Sequence, residues 1–231
     1  DVICSDNDSW SKYLWSWLAH IIQKPYEKPG VAVVLRSDWQ GVGKGVFAKY
    51  FGSLLGDHFT TVTEGRHLHG NFNAHLKKCL FLLGDEAVWG GDKRAEAKLK
   101  EMITEPTTIC EFKGKDSFQI KSFIRLMLQT NSEWAAPVSL TDRRYFVLDV
   151  SEMRLNDHVF FKEVENEKKN GGAEALLNVL QQFDLSDFEV RDFPDTPARQ
   201  EQKLLSMKPL EEWWYSLLNN ADTIIHDRVL N

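Results

Sequence analysis

A short glycine-rich segment, QGVGKG at residues 40–45, has the most distinctive chemistry in this chain. Glycines allow successive backbone N–H groups to point into one concavity, and a helix that starts there adds the positive end of its dipole. Lys44 adds a full positive charge at the same place. A polyphosphate fits these features, so the sequence predicts a nucleotide-binding loop. Its residues are Gln40, Gly41, Val42, Gly43, Lys44, Gly45 and Val46.

This loop departs from the G-x-x-x-x-G-K-[ST] pattern at two positions. Asp38 stands where the first glycine is expected, and Gly45 replaces the hydroxyl residue that normally reaches Mg²⁺. Without that hydroxyl, the ion must rely on carboxylate, phosphate and water oxygens, so hydrolysis is expected to be slow or absent. A glycine-rich turn with a solvated lysine is the simpler alternative for the segment.

Two adjacent acids, Asp85 and Glu86, follow an apolar run that begins at Cys79. A buried strand of this kind delivers polar residues to the carboxyl edge of a parallel sheet, where ligands bind. In an ATPase one carboxylate holds Mg²⁺, directly or through water, and the next polarises the attacking water. Asp85 and Glu86 fit these roles in that order and form the predicted magnesium site. An acidic helix N-terminus is the alternative.

A polar residue, Asn131, ends the apolar segment from Ile124 to Thr130. If this strand lies between the strand before the glycine loop and the strand before the acids, Asn131 lies beside the terminal phosphate. It can then help to orient the attacking water. An Asx turn after a strand is the alternative, because asparagine is frequent in such turns.

Two arginines, Arg143 and Arg144, precede the apolar segment 145–150. Neighbouring residues of a strand point to opposite faces, so only one of the pair can face the core or site of its own subunit. A guanidinium group suits the charge on a transferring phosphoryl group, so the other is a candidate arginine finger for a neighbouring subunit's nucleotide. A surface ion pair with Asp142 is the alternative.

The elements that must position these residues follow from apolar periodicity. The β-branched run from Val31 predicts a strand ahead of the glycine loop, and the spacing of Val46, Phe47, Tyr50 and Phe51 predicts a helix after it. Asp8 or Ser9 is the expected cap of an earlier helix. Strands are predicted at 58–63, 79–86, 124–130 and 145–150. Helices are predicted at 9–23, 92–105, 160–164, 173–183 and 210–218, with a loop at 194–197.

A β-hairpin is predicted from two strand-like segments, 107–113 and 117–123, on either side of Gly114-Lys115-Asp116. Lys113, Lys115 and Lys121 lie near its tip or flank. The alternative is a solvated turn, because turns often carry lysine.

Composition limits the possible functions. The chain has 231 residues and a net charge of −6, which argues against a general basic surface for nucleic acid, so such contact must be local. Its apolar runs are too short to span a bilayer, and three scattered cysteines indicate a reducing compartment. We therefore expect a cytoplasmic protein, and the absence of an initial Met suggests a fragment of a longer chain.

Expected boundaries are 1–28 for a helical lead-in, 29–151 for an ATPase core and 152–231 for a helical region.

Five motifs in this order resemble those of superfamily 3 helicases. The chain is especially similar to the ATPase part of virus-type primase-helicase and primase-polymerase proteins of phages, plasmids and large DNA viruses. The motifs are QGVGKG at 40–45, FLLGDEA at 81–87, FKGKD at 112–116, LMLQTN at 126–131 and DRRYFVL at 142–148.

The resemblance implies a role for each predicted site residue. Lys44 would bind the β- and γ-phosphates, Asp85 and Glu86 would serve Mg²⁺ and water, and Asn131 would be the polar sensor. Arg143 or Arg144 would be the finger that acts across a subunit boundary. Lys113 and Lys115 resemble the basic hairpin residues that line the central channel of a hexamer and grip one DNA strand.

The implied protein is an α/β P-loop NTPase of the AAA+-like type, with a parallel five-stranded sheet, an N-terminal helix and a C-terminal helical lid. It would use ATP and Mg²⁺ between subunits of a ring around single-stranded DNA, as the helicase motor of a phage or plasmid replication protein in the host cytoplasm. A primase or polymerase domain is expected in the same parent chain. The alternatives are a nucleotide-responsive platform that holds a primase or polymerase on DNA, and a small-molecule P-loop kinase.

Overall fold

The computed structural model describes residues 1–63, 76–85, 93–111 and 116–218. Three predicted site residues, Glu86, Lys113 and Lys115, lie outside these ranges, and their roles stay predictions. Within the described residues, no helix is long and apolar enough to cross a membrane.

A five-stranded parallel sheet forms the centre of the protein, with the strand order β2-β3-β6-β1-β7. Its strands are apolar and β-branched or aromatic because they are covered on both faces, and every residue of β1 is buried. An α/β fold with a parallel five-stranded sheet, as expected from the sequence, is confirmed. The sheet strands are β1 (Ala32–Arg36), β2 (Phe59–Val62), β3 (Phe81–Asp85), β6 (Arg125–Thr130) and β7 (Tyr145–Asp149).

The remaining two strands, β4 (Thr107–Cys110) and β5 (Phe118–Lys121), form the predicted antiparallel hairpin as a separate two-stranded sheet. β4 ends earlier than expected, at Cys110 opposite Phe118. All three cysteines are buried and form no disulfide.

Helices cover the sheet and follow it along the chain. In order they are α1 (Asp8–Gln23), α2 (Lys44–Ser53), α3 (Lys93–Thr104), α4 (His158–Glu167), α5 (Ala173–Gln182) and α6 (Pro197–Leu205), followed by a helical segment at 209–218 that we call α7. The cap of α1 is Asn7, whose side chain accepts a hydrogen bond from the Trp10 N–H at 3.1 Å, rather than Asp8 or Ser9 as expected.

α6 starts at Pro197, the last residue of the expected loop, so residues 194–196 form a loop as predicted while the helix after them was not predicted. Pro197 occupies the first turn, where its missing N–H costs nothing, and Thr196 caps the helix by accepting from the Arg199 N–H at 3.1 Å. Inside α6, Gln202 is fully buried and its Oε1 accepts from the Ala135 N–H at 2.7 Å. Through Gln202, α6 therefore forms hydrogen bonds with the segment that follows β6 and holds it in place.

Apolar side chains pack into one core on each face of the sheet. On one face, Leu14 and Trp17 of α1 share a core with Val33 and Leu35 of β1. On the other, α3 supplies Leu99, Met102 and Ile103. The N-terminal helix is thus packed directly against the sheet, while the expected domain boundaries stay predictions.

Candidate nucleotide-binding cleft

The carboxyl ends of β1, β3 and β6 meet at one edge of the sheet, with β6 in the middle. This is the order on which the expectation for Asn131 depended. The register pairs Arg36 with Thr130 and Asp85 with Gln129. As a result, polar residues from three strand ends lie side by side where ligands bind to open parallel sheets.

The loop between β1 and α2 covers residues 37–43 and includes the glycine-rich segment up to Gly43. α2 begins at the next residue, Lys44. Gly41 and Gly43 have φ angles of 81° and 103°, a region that side chains other than glycine rarely adopt. A Cβ atom on Gly43 would lie 2.8 Å from Phe161 Cε1, and one on Gly41 would lie 2.6 Å from Asn156 Oδ1. Both positions therefore need glycine for backbone conformation and for close packing against the segment that leads into α4.

Ser37, the first residue of the loop, contacts two of the predicted site residues. Its hydroxyl accepts a hydrogen bond from Lys44 Nζ and donates one to the Trp39 carbonyl at 2.6 Å. Its carbonyl accepts from Asn131 Nδ2 at 2.8 Å. Lys44 is only 7% exposed although it is charged. These contacts hold the lysine and the asparagine at one point of the cleft.

Asp85 lies beside this group at the end of β3. Its Oδ1 accepts a hydrogen bond from Gln129 Nε2 at 2.6 Å, and its Oδ2 lies 3.9 Å from Lys49 Nζ. The carboxylate is 23% exposed, so solvent or an ion can reach it. Lys49 lies near this carboxylate, and Lys44 and the N-terminus of α2 add positive charge to the same cleft. This arrangement of charges suits an anionic ligand that binds together with a cation.

The cleft has a volume of about 380 Å³, within the range of small-molecule sites. It contains every residue of the predicted loop from Gln40 to Val46, together with Asp85 and Asn131. Sequence reasoning missed the lining residues Gln129, Thr130, Asn156, His158 and Phe161, and also Ser37 beneath them. Gln129 carried a signal, because it is a polar residue within an apolar strand. The 156–161 segment carried none, because long-range packing brings it here.

The two arginines lie away from this cleft. They precede β7, so they lie at its amino end, opposite the edge that holds the glycine loop. A five-residue strand is roughly 16 Å long, too far for either side chain to reach its own cleft. Arg144 donates to the buried Asp142 from its backbone N at 2.7 Å and from Nη1 at 3.0 Å, whereas Arg143 is exposed.

A further arginine, Arg36, closes the carboxyl edge on the side of β7. It donates to both oxygens of Asp149, at 2.6 Å and 2.9 Å, and its Nη2 lies 2.5 Å from Glu201 of α6. The hydrogen bond to Asp149 raises the pKa of Arg36, against the opposing effect of burial. This network ties β1, β7 and α6 together next to the loop.

Comparison with solved structures identifies proteins that share this fold. The apo C-terminal region of NrS-1 matches 95% of this chain with a TM-score of 0.79 at 20% sequence identity. Two A-form apo structures of the same region match 93% and 95% of the chain, with TM-scores of 0.78 and 0.76 at 21% and 20% identity. The chain covers 55%, 52% and 54% of these three structures and so spans about half of their length. The likeness shows a shared fold.

Sequence comparison covers the part of the chain that holds the cleft. The family described as "Family of unknown function (DUF5906)" matches residues 35–144, just under half of the chain. The matched stretch begins at the end of β1 and ends at Arg144, so it includes the glycine loop, Asp85 and Asn131. No curated protein sequence is significantly similar to this chain.

Proposed function

We propose that this chain is the ATP-hydrolysing motor domain of a phage or plasmid DNA replication protein, with a P-loop of the kind found in superfamily 3 helicases. The observation that carries the proposal is that Lys44, Asp85 and Asn131 line one cleft at the carboxyl edge of a parallel sheet. They come from distant parts of the sequence, and each is of a type that phosphoryl transfer uses. The fold shared with the NrS-1 C-terminal region supports this assignment.

The triphosphate binds at the glycine loop. The left-handed conformations of Gly41 and Gly43 allow consecutive backbone N–H groups to face an anion, and the start of α2 adds its partial positive charge. Lys44 Nζ then binds the β- and γ-phosphate oxygens in exchange for the Ser37 hydroxyl. The contact with Ser37 keeps the lysine close to the position that it needs.

Mg²⁺ fits the donors at this site, because Asp85 presents a partly exposed carboxylate and Mg²⁺ prefers hard oxygen ligands. When bound there, Mg²⁺ would supply positive charge to offset the negative charge that develops on the phosphoryl group in the transition state. The chain's own residues act on the water: Glu86, the next residue after Asp85, polarises it, and Asn131 orients it toward the γ-phosphate.

Single-stranded DNA is the proposed partner, gripped by Lys113 and Lys115 at the hairpin tip in the channel of a hexameric ring. Exposed aromatic and basic groups on the described part of the hairpin and next to it support this proposal. Phe118 and Phe123 are 42% and 38% exposed, Lys121 is exposed, and Lys77 Nζ lies 5.6 Å from the Phe118 ring centroid. Aromatic faces and lysines together suit a stacked single strand. A primase or polymerase domain in the same parent chain would use the strand in the host cytoplasm.

The first test of this function is nucleotide binding by Lys44→Ala. Loss of one charge-assisted contact of about 1.5–3 kcal/mol should weaken ATP binding by roughly 10- to 100-fold or more. Isothermal titration calorimetry measures this effect, with Lys12→Ala as the control, because Lys12 is an exposed lysine on α1 outside the cleft. Equal ATP affinity in wild type and Lys44→Ala would refute the proposed site.

A second candidate function, a nucleotide-responsive platform that holds a primase or polymerase on DNA, is favoured by one observation. Gly45 leaves the loop without the hydroxyl that normally binds Mg²⁺. Steady-state ATPase assays of the assembled protein with and without single-stranded DNA separate the two functions, with Glu86→Gln as the inactive reference. Stimulation by DNA supports the motor, and a rate no higher than that of Glu86→Gln under both conditions supports the platform.

A further inference from the structure

One buried oxygen in the cleft, the side-chain Oε1 of Gln129, lacks a hydrogen-bond partner among the described residues. Gln129 is 6% exposed. A buried acceptor left unsatisfied carries a free-energy cost, so native proteins rarely keep one without a reason. The amide lines the same cleft as the glycine loop.

The orientation of this amide is fixed by its neighbour. Nε2 donates to Asp85 Oδ1 at 2.6 Å, and an ionised carboxylate can only accept hydrogen bonds. Turning the amide over would place its oxygen against the carboxylate. Asp85 therefore holds Gln129 so that the unpaired Oε1 is directed away from Asp85.

The amide also lies next to the position where the loop lacks a hydroxyl. A Cβ atom built on Gly45 would lie 3.5 Å from Gln129 Nε2 and 3.7 Å from Oε1, which is ordinary van der Waals contact. Gln129 thus occupies the space beside Gly45 toward which a serine or threonine side chain would extend. A Cβ atom at position 45 would not displace the amide of Gln129, so packing does not require glycine at this position.

We propose that Gln129 Oε1 provides the oxygen that Gly45 cannot, as a ligand of the nucleotide-bound Mg²⁺ or of a water in its shell. The inference rests on the proposed nucleotide site. Amide oxygens are hard ligands of the same class as hydroxyls, so the substitution conserves the chemistry that Mg²⁺ requires. Asp85 then has two tasks, as an acceptor that orients Gln129 and as the carboxylate of the magnesium site.

The test measures how strongly Mg²⁺ enhances binding of the non-hydrolysable nucleotide AMP-PNP. Calorimetric titrations are made in EDTA and at a series of Mg²⁺ concentrations. Gln129→Leu removes both polar atoms at similar volume. We expect the Mg²⁺ concentration needed for half-maximal enhancement to rise about 10- to 100-fold, the loss of metal affinity that is typical when a partner in a metal's outer shell is removed. Binding in EDTA should stay at the wild-type level, because the glycine loop and Lys44 are intact.

A second, independent test introduces a hydroxyl group at position 45, where the loop lacks one. Gly45→Ser combined with Gln129→Leu should restore the Mg²⁺ response, whereas Gly45→Ala combined with Gln129→Leu should not, because it adds only a methyl group. Gln129→Asn, which withdraws the oxygen but keeps an amide, replaces Gln129→Leu if the leucine variant does not fold.

The outcomes separate this inference from the proposed function. If wild type binds no AMP-PNP in EDTA or Mg²⁺, the nucleotide site itself is wrong. If wild type shows Mg²⁺-enhanced binding and Gln129→Leu shows the same dependence on Mg²⁺, the role of Gln129 is wrong and the nucleotide site stands.

Discussion

At the scale of single residues, Ser37 connects two polar side chains of the cleft, those of Lys44 and Asn131. The hydroxyl accepts from Lys44 Nζ and the carbonyl accepts from Asn131 Nδ2, and Ser37 itself is 4% exposed. Sheltered contacts of this kind fix side-chain geometry before a ligand binds, which lowers the entropy cost of reaching a reactive arrangement. A serine after a strand is common, so no local signal distinguishes Ser37 in the sequence.

Asn131→Ala tests whether that arrangement serves catalysis rather than binding. If Asn131 orients the attacking water, its loss removes a donor used in the transition state, and we expect kcat for ATP hydrolysis to fall roughly 100-fold. ATP affinity should change little, because Lys44 and the glycine loop remain. Steady-state ATPase kinetics and calorimetric binding of ATP give the two quantities separately.

The matched control for this prediction is Asn178→Ala, because Asn178 is an exposed asparagine on α5 whose Oδ1 accepts a hydrogen bond from Gln182 Nε2 at 2.8 Å. Both its kcat and its ATP affinity should equal those of wild type. A kcat for Asn131→Ala that is unchanged, or one that falls only in proportion to lost binding, would contradict the role in orienting water.

At the scale of elements, Arg125 joins the end of α1 to the start of β6. It is completely buried and donates to the carbonyls of Lys24 and Pro25 at 2.7 Å each, and to those of Glu27 and Phe123. Burial lowers the pKa of Arg125 to about 10, so it remains charged at neutral pH. The guanidinium thus donates to backbone carbonyls in the segments after α1 and before β6, and the Lys24 carbonyl also accepts from the Glu27 N–H at 3.0 Å.

Arg125→Met should therefore destabilise the protein substantially. The variant keeps most of the apolar stem but removes the side-chain donor from the carbonyls of Pro25, Glu27 and Phe123, at a cost of about 3 kcal/mol in the free energy of unfolding. Urea unfolding followed by circular dichroism measures the change. Arg154→Met is the control, since Arg154 forms a partly exposed ion pair with Asp157, worth about 1 kcal/mol or less. Equal losses in the two variants would contradict this role for Arg125.

The sheet could be predicted from the sequence because its strands are covered on both faces and form continuous apolar runs. α6 could not, because PARQEQKLL is mostly polar and its opening proline resembles the end of an element rather than a beginning. The buried face of α6 depends on Gln202, a polar side chain whose partners lie far away in the sequence. No local pattern of hydrophobicity marks a helix held in this way.

The cleft residues also fall into two groups, those that local sequence signals predict and those that only the fold brings to the cleft. The glycine loop, Asp85 and Asn131 are local signals, each a polar residue directly after an apolar strand. Gln129 needed the strand register, because only the pairing of β3 with β6 brings it beside Asp85. Phe161 and its neighbours needed the tertiary path of the chain after β7.

At the scale of the whole molecule, the position of the arginines bears on assembly. Arg143 is exposed at the amino end of β7, while the cleft lies at the opposite edge, so one chain alone cannot bring the two together. Asp142 engages Arg144 through two contacts, which leaves Arg143 as the stronger candidate for a finger. A ring would also place hairpin lysines in a channel while the outer surface of an acidic chain faces solvent.

Arg143→Ala should abolish ATP hydrolysis in the assembled protein while ATP affinity stays at the wild-type level. An arginine finger stabilises charge in the transition state and is worth about 10³- to 10⁵-fold in kcat. ATPase kinetics and calorimetry give the two quantities, and sedimentation with nucleotide and Mg²⁺ checks that the particle still forms. A kcat within a few-fold of wild type would exclude Arg143 as the finger.

Mixing two inactive variants decides whether the arginine acts across a subunit boundary. Lys44→Ala chains keep Arg143 but bind ATP roughly 10- to 100-fold more weakly, so they stay mostly empty at ATP concentrations near the wild-type Kd. Arg143→Ala chains bind ATP but lack the finger. In a mixed ring, an Arg143→Ala chain next to a Lys44→Ala chain regains a complete site if the arginine comes from the neighbour. Activity should therefore appear on mixing and peak near equal amounts of the two. A finger that acted within its own chain would leave every mixture inactive, because no chain would then hold both Lys44 and Arg143.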